Sequence, residues 1–465
     1  MNLIIIIAAL LFLMIVAYRG YSVILFAPLA AMGAVLLTDP ALVAPMFTGL
    51  FMEKVAAFLK IYFPVFLLGA IFGKLIELSG FSKSIVSSIV GVSGSRHAIV
   101  SIVSVCALMT YGGVSLFVVV FAVYPFAAEI FKTHQIPKRL IPATIALGAF
   151  TFTMDALPGT PQIQNIIPIP FFQTNIYAAP WLGVIGALFI LATGLAYLNW
   201  QRRRALARNE GYGTDLRQEP EPFPQEQLPH PAIALLPLIL VGVMNKVLTT
   251  AIPQLYGETH SFAAAVVGSA PPVTQEISKI AAIWAVEGAL LTGILSVLIF
   301  AWRRVARTFA EGSRTAVSGA LLASLNTASE YGFGGVIAAL PGFLVVADML
   351  KNIPHPLINE AVTVTALAGI TGSASGGLSI ALAAMAETFL ANAQTAGIPA
   401  EVLHRVASMA SGGMDTLPHN GAVITLLTVT GLTHRQSYLD IFVITCIKTV
   451  AVGVVILAFL FWGIV

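Results

Sequence analysis

Apolar runs long enough to cross a hydrocarbon core of roughly 30 Å recur from one end of this 465-residue chain to the other. They occupy residues 2–17, 22–38, 178–199, 231–253, 279–301 and 440–464. Lipid offers no partner to a backbone N–H or C=O, so spans of this kind are helices that satisfy their own hydrogen bonds. The expected fold is therefore an all-α polytopic membrane protein. Composition agrees, with 58% hydrophobic and only 10% charged residues, against about a quarter charged in soluble domains. The first run, Leu3 to Ala17, has no basic residue ahead of it and no small-residue cleavage site behind it, so it reads as a retained helix rather than a signal peptide. Cys106 and Cys446 both sit in apolar runs and read as small buried thiols rather than a disulfide or a CxxC metal site.

Basic residues mark one side of the membrane. They cluster at Arg19, at Lys83 and Arg96, at Lys132, Lys138 and Arg139, at Arg202, Arg203, Arg204 and Arg208, at Arg303, Arg304, Arg307 and Arg314, and at Arg435. The positive-inside rule places these in the cytoplasm. Connections around 39–50, 170–178, 254–276 and 394–401 carry no Lys or Arg and fall on the opposite side. The alternation predicts a multi-pass protein of the bacterial inner membrane with both chain ends periplasmic. The net charge of +3 is thereby used up in topology, and no nucleic-acid partner is expected.

Only residues 200–230, rich in charge and proline, read as clearly soluble, and they divide the chain into a first membrane half (1–199), a cytoplasmic linker (200–230) and a second half (231–465). Compared at a shift near 262, the halves echo each other. Gly73, Leu78, Gly80 and Phe81 match Gly335, Leu340, Gly342 and Phe343. Gly112, Gly113 and Ser115 match Gly376, Gly377 and Ser379, and Ile136-Pro137 matches Ile398-Pro399. Met154-Asp155-x-Leu157-Pro158 matches Met414-Asp415-x-Leu417-Pro418. Ile136-Pro137 adjoins cytoplasmic Lys138 and Arg139, whereas Ile398-Pro399 lies in a periplasmic connection. The duplication, spanning about 20–199 and 280–465, is therefore expected to be an inverted-topology repeat, the plan of secondary transporters.

Segments 98–131 and 358–393 are too long for one crossing and are interrupted by TYGGVS from Thr110 and TGSASGGLS from Thr371. Each predicts a re-entrant hairpin with its tip at mid-membrane, the alternative being two ordinary kinked helices. Counting these hairpins separately leaves about ten transmembrane helices, two of them discontinuous. The discontinuous ones contain FTMDALPGTPQIQNIIP from Phe152 and GGMDTLPHNGAVI from Gly412, where proline breaks the ladder and frees amides and carbonyls. Half-helix N-termini suit an anion and freed carbonyls a cation.

Hydroxyl, amide and small residues crowd these four places. The candidate substrate-binding residues are Thr110, Gly112, Gly113, Ser115, Thr160, Gln162, Asn165, Thr371, Ser373, Ser375, Gly376, Gly377, Ser379, His419 and Asn420. Interhelical packing is the alternative use of such residues. Ionisable groups at membrane depth are costly and default to functional candidates. Asp155 and Asp415, related by the repeat, and Glu330, whose counterpart at the same shift is Leu68, are the candidate ion-coupling residues. For the two aspartates, capping of a broken helix is the competing role. No catalytic residue, metal ligand or cofactor site emerges: the G-x-x-x-x-G-K-[ST] phosphate loop is absent, and histidines and cysteines lack metal spacing.

TYGGVSLFVVVFAVYPFA from Thr110, IPKRLIPATIALGAFTFTMDALPGTPQIQNIIPIPFF from Ile136 and GGMDTLPHNGAVITLL from Gly412 resemble the gluconate permease (GntP) family of the ion transporter superfamily, in its D-beta-hydroxybutyrate permease branch. The gluconate carriers themselves have a histidine-proline-glycine motif where this chain has Leu157-Pro158-Gly159. The resemblance implies proton symport of a small hydroxycarboxylate such as 3-hydroxybutyrate, a gluconate-like acid being a close variant. It also implies a homodimer with a scaffold and a moving transport part, and binding at hairpin tips and broken helices. A sodium-coupled di- or tricarboxylate carrier is the alternative within transport. An intramembrane enzyme using Asp155 with Asp415, or a subunit of a larger complex, is the alternative outside it.

Overall fold

The computed structural model describes residues 2–19, 21–93, 98–114, 116–213, 219, 228–262, 273–277, 280–343, 345, 353, 355–418 and 420–465. Arg96, Ser115 and His419 lie outside the described residues. The first half runs α1 (Asn2–Tyr18), α2 (Val23–Thr38), α3 (Met52–Leu78), α4 (Phe81–Ser93), α5 (Ala98–Tyr111), α6 (Leu116–Thr133), α7 (Ile141–Ala149), α8 (Phe152–Asp155), α9 (Ile163–Ile166), α10 (Ile169–Phe172) and α11 (Pro180–Ala207). The second runs α12 (Pro231–Tyr256), α13 (Ala281–Val305), α14 (Phe309–Ala339), α15 (Pro356–Thr371), α16 (Ala374–Thr395), α17 (Ala400–Ser411), α18 (Gly421–Thr430) and α19 (His434–Trp462). Six helical stretches among the described residues are long and apolar enough to span a membrane by themselves. The protein is an all-α polytopic membrane protein. Between α12 and α13 the connection carries one antiparallel ribbon, β1 (Thr259–Phe262) on β2 (Val273–Glu276).

Each interrupted segment folds as two helices joined by a glycine turn. α5 ends at Tyr111, Gly113 takes φ +92°, and α6 departs at Leu116. α15 ends on Gly372 at φ +64°, and Ser373 caps α16 by accepting from the Gly376 amide at 3.0 Å. A residue with a Cβ is strained at positive φ, which is why glycine occupies both tips. The helices leading into the tips end 260 residues apart and the positive-φ glycines lie 259 apart, rather than the 264 that pairs Gly112-Gly113 with Gly376-Gly377. The second pair therefore sits inside the first turn of α16. There it allows close approach: a Cβ on Gly377 would collide with the Ala368 backbone, and one on Gly376 with the Glu330 carboxylate.

Matched elements of the two halves run antiparallel. Leu78, at the end of α3, packs on Gly312 near the start of α14, while Lys54, at the start of α3, packs on Gly335 near the end of α14. α11 and α19 show the same sense, with the Trp181 N–H donating to the Val465 carbonyl (3.4 Å) at one end and Tyr197 to Asp440 (2.6 Å) at the other. The repeats also exchange partners. α18 packs on α6, and α9 and α10 pack on α16, so one arm of each hairpin is covered by the broken helix of the opposite half.

Three of the basic residues are held by contacts across the chain. Lys138 pairs with Glu219 (2.8 Å), Arg139 with Glu210 (2.7 Å) and Asp440 (2.8 Å), and Arg304 lies beside Gly80. The hydrogen bond from Arg139 holds the Glu210 carboxyl below its ordinary range.

Small residues set the spacing of the helices around the breaks. A Cβ on Gly148 of α7 would meet the Cys106 side chain and lie 2.6 Å from the Val103 carbonyl of α5. Gly148→Ala is expected to cost about 1–3 kcal/mol through forced separation of these helices, read as a lower unfolding midpoint in detergent.

Candidate functional site

α7 stops at Ala149 and α17 at Ser411, just before Gly412-Gly413, leaving two breaks, 150–162 and 412–420, each beside the hairpin tip of its own repeat. The contact is made the same way in both. Gln162, which precedes α9, donates its amide to the Thr110 carbonyl (2.7 Å) and the Val114 carbonyl (3.4 Å) of the first tip. Asn420, which caps α18 by accepting from the Val423 amide (2.8 Å), donates to the Gly372 carbonyl (2.8 Å) of the second. The Gly372 carbonyl needs a donor and takes it from Asn420, while the Thr110 carbonyl accepts from Gln162 in addition to the Gly113 N–H (3.0 Å). Asn420→Ala removes a helix cap worth about 1 kcal/mol and leaves the Gly372 carbonyl unpaired. Slower substrate exchange and a lower melting midpoint than Gln162→Ala, which loses no cap, are the expected readouts.

Most of the expected polar residues are brought to these four segments, but several are occupied by the protein itself. Asn165 is saturated. It donates to the Thr160 (3.0 Å) and Ile176 (2.9 Å) carbonyls and accepts from Arg405 (3.0 Å) and His404 (3.2 Å). Thr160 donates to the Thr153 carbonyl (2.7 Å), and Thr371 to its own helix at Leu367 (2.9 Å). Ser375 lies 3.3 Å from the Thr327 hydroxyl and 3.4 Å from that of Ser373. Thr110 and Ser379 differ: both hydroxyls are buried and have no hydrogen-bond partner. Gly112 packs beneath Leu238 of α12.

The charged residues form one buried group across the breaks. Asp155 (1% exposed) closes α8, and its Oδ2 has no hydrogen-bond partner and abuts Gly412 of the opposite break. Asp415 (4% exposed) accepts at Oδ1 from Lys448 Nζ of α19 at 2.6 Å, and the same ammonium donates to the Phe150 carbonyl (3.1 Å) at the end of α7. Arg405 of α17 is fully buried. It donates to the carbonyls of Ala178 (2.8 and 3.1 Å), Asp155 (3.2 Å) and Ile176 (3.4 Å) as well as to Asn165. Ser408 adds a bond to the Asp155 carbonyl (2.8 Å). Glu330 (3% exposed) stands apart from this group, on α14, against Gly376.

A separate groove of about 790 Å³ opens between α15 and α19, lined by residues such as Val362, Thr365, Met414 and Ile456. Its two threonines spend their hydroxyls on the Ala410 (3.0 Å) and Gly413 (2.7 Å) carbonyls. The walls therefore offer little to a carboxylate, and the buried charged groups lie at the breaks instead.

No protein-family model matches the chain. Over the full length of both proteins it is 58% identical to YxjC of Bacillus subtilis strain 168, an uncharacterized transporter. The chain belongs to the YxjC transporter family. The crystal structure of the YdaH transporter of Alcanivorax borkumensis, described as having an unusual topology, shares its fold, with a TM-score of 0.50 and 14% identity over 92% of this chain and 90% of that one. This YxjC-family protein is thus a multi-pass transporter of the bacterial inner membrane.

Three residues central to its buried group, His404, Arg405 and Lys448, are not among the sequence candidates. Lys448 carried a signal: it is a lysine within the apolar run 440–464, and such a residue needs a partner at membrane depth. Arg405 carried a similar one, four residues past a connection without basic residues.

Proposed function

We propose that this protein is a proton-coupled symporter of a small hydroxycarboxylate, 3-hydroxybutyrate being the leading substrate. The observation that carries the reading is the convergence of two hairpin tips and two helix breaks on one buried charged group, joined by the Gln162 and Asn420 amides. Half-helix ends at such a place bind an anion through backbone N–H groups without an arginine. Arg405 is already committed to protein carbonyls. The unpartnered hydroxyls of Thr110 and Ser379 supply hydrogen bonds for the substrate's carboxylate and hydroxyl, with Ser115, Ser373, Ser375 and His419 completing the set. Asp155, Asp415 and Glu330 form the coupling set. The resemblance of the break sequences to hydroxybutyrate permeases supports the substrate class. In this reading the halves 1–199 and 231–465, joined by the cytoplasmic segment 200–230, alternate access around the site, and two copies of the chain form the working unit.

Proteoliposomes holding the purified protein test this directly. An imposed inward proton gradient is expected to drive accumulation of labelled 3-hydroxybutyrate. Uptake that ignores the proton gradient, but follows sodium and is blocked by citrate or succinate, would replace this reading with sodium-coupled di- or tricarboxylate transport. Indifference to both gradients would remove ion coupling altogether.

A further inference from the structure

We infer that Asp155 is the residue that takes up and releases the coupling proton, and that Lys448 excludes its repeat-related partner Asp415 from that role. The inference rests on the proton-coupled reading above and distinguishes between residues which that reading leaves equal.

The two aspartates occupy equivalent places in the sequence but not in their surroundings. Around the second break, the α19 side chain that reaches the aspartate is Lys448, and its ammonium binds both Asp415 Oδ1 (2.6 Å) and the Phe150 carbonyl (3.1 Å). That carbonyl is at the negative end of α7, so Lys448 fills a position suited to a cation with one that is tethered to the chain. Around the first break the corresponding helix is α11. Thr445 meets Thr416 in the second half (2.6 Å), and Gly183 meets the Ala156 carbonyl in the first. Both relations fix the local shift at 260–262, which places Gly186 opposite Lys448. Gly186 packs on the Met409 side chain and brings no charge. Asp155 Oδ2 is therefore buried without a hydrogen-bond partner, whereas Asp415 carries a fixed one.

The charges around Asp155 leave its carboxylate oxygen Oδ2 unclaimed. From α17, Arg405 binds the Asp155 main-chain carbonyl (3.2 Å), and His404 is held by Asn165 and Thr174. From α19 and the second break, Lys448 and Asp415 bind each other. The titratable groups of α5 are Cys106 and Tyr111, the latter donating to the Pro158 carbonyl (2.9 Å), and α7, α9 and residues 180–190 of α11 contribute none. A hard metal cation needs several oxygens around it at once, whereas Oδ2 has Gly412 close against it and no hydrogen-bond partner. A proton needs one lone pair. Oδ2 supplies it, accepting the proton from water on one side of the membrane and returning it to water on the other.

Infrared difference spectra of the lipid-reconstituted protein, recorded through a pH titration, test the assignment without any substrate. A titrating carbonyl stretch from a protonated carboxylic acid is expected in the wild type. It should be lost in Asp155→Asn and kept in the paired substitution Asp415→Asn with Lys448→Met, which removes both charges together. Gly412→Ala, whose methyl would press on Oδ2, should shift the titration midpoint of the same band. Survival of the whole band in Asp155→Asn, or its loss in Glu330→Gln or Glu360→Gln instead, overturns the inference, as does an unmoved midpoint in Gly412→Ala. Because no substrate enters this measurement, failure of wild-type 3-hydroxybutyrate uptake would count against the transport reading alone.

Discussion

Lys448→Met is expected to destabilise the folded protein by about 3–5 kcal/mol, because it leaves a buried carboxylate without its partner. Lys448 is 2% exposed, and its ammonium satisfies both Asp415 and the Phe150 carbonyl. Methionine keeps the length and flexibility of the side chain, so packing is nearly preserved and the loss reports on charge. The paired variant with Asp415→Asn should recover most of that loss, since removing both members of a buried ion pair is often close to neutral. Unfolding midpoints of the three variants in detergent check this. Equal destabilisation of the single and paired variants would mean that the Phe150 carbonyl, not the carboxylate, is what Lys448 serves.

Arg405→Lys should be as damaging as Arg405→Met, each costing several kcal/mol and stopping transport. The planar guanidinium spreads its donors over Ala178, Ile176, Asp155 and Asn165, groups from three separate turns of the first repeat. A lysine presents three donors from one point and cannot span them. Each abandoned buried carbonyl then carries a desolvation penalty of about 1–3 kcal/mol. Thermal unfolding and substrate uptake on the two variants decide the matter, and near-native stability of Arg405→Lys would refute the spanning role.

The sequence made the path of the chain readable because lipid permits so few solutions. Hydropathy marks the spans, glycine at 112–113 and 372 marks the tips, and Pro158 and Pro418 mark the breaks, each for a local steric or hydrogen-bonding reason. The site was less readable because its bonds cross between halves. Nothing near Asn165 in the chain says that its amide is saturated by Arg405 and His404, some 240 positions away. Likewise, Asp155 and Asp415 share one motif, and only the α11 and α19 residues beside them, Gly186 and Lys448, set them apart. The ribbon β1–β2 was also hidden, since two four-residue strands leave almost no periodic trace.

The exchange of partners between repeats bears on how such a chain comes to be made. Translation and insertion deliver α5 to α11 first, with the carbonyls of Phe150, Asp155, Ile176 and Ala178 still waiting for Lys448, Arg405 and Ser408. Until the last spans arrive, the arm α6 lacks its cover from α18. The nascent first half is therefore an unfinished object in the bilayer, and final assembly waits for the segment from Arg405 to Lys448.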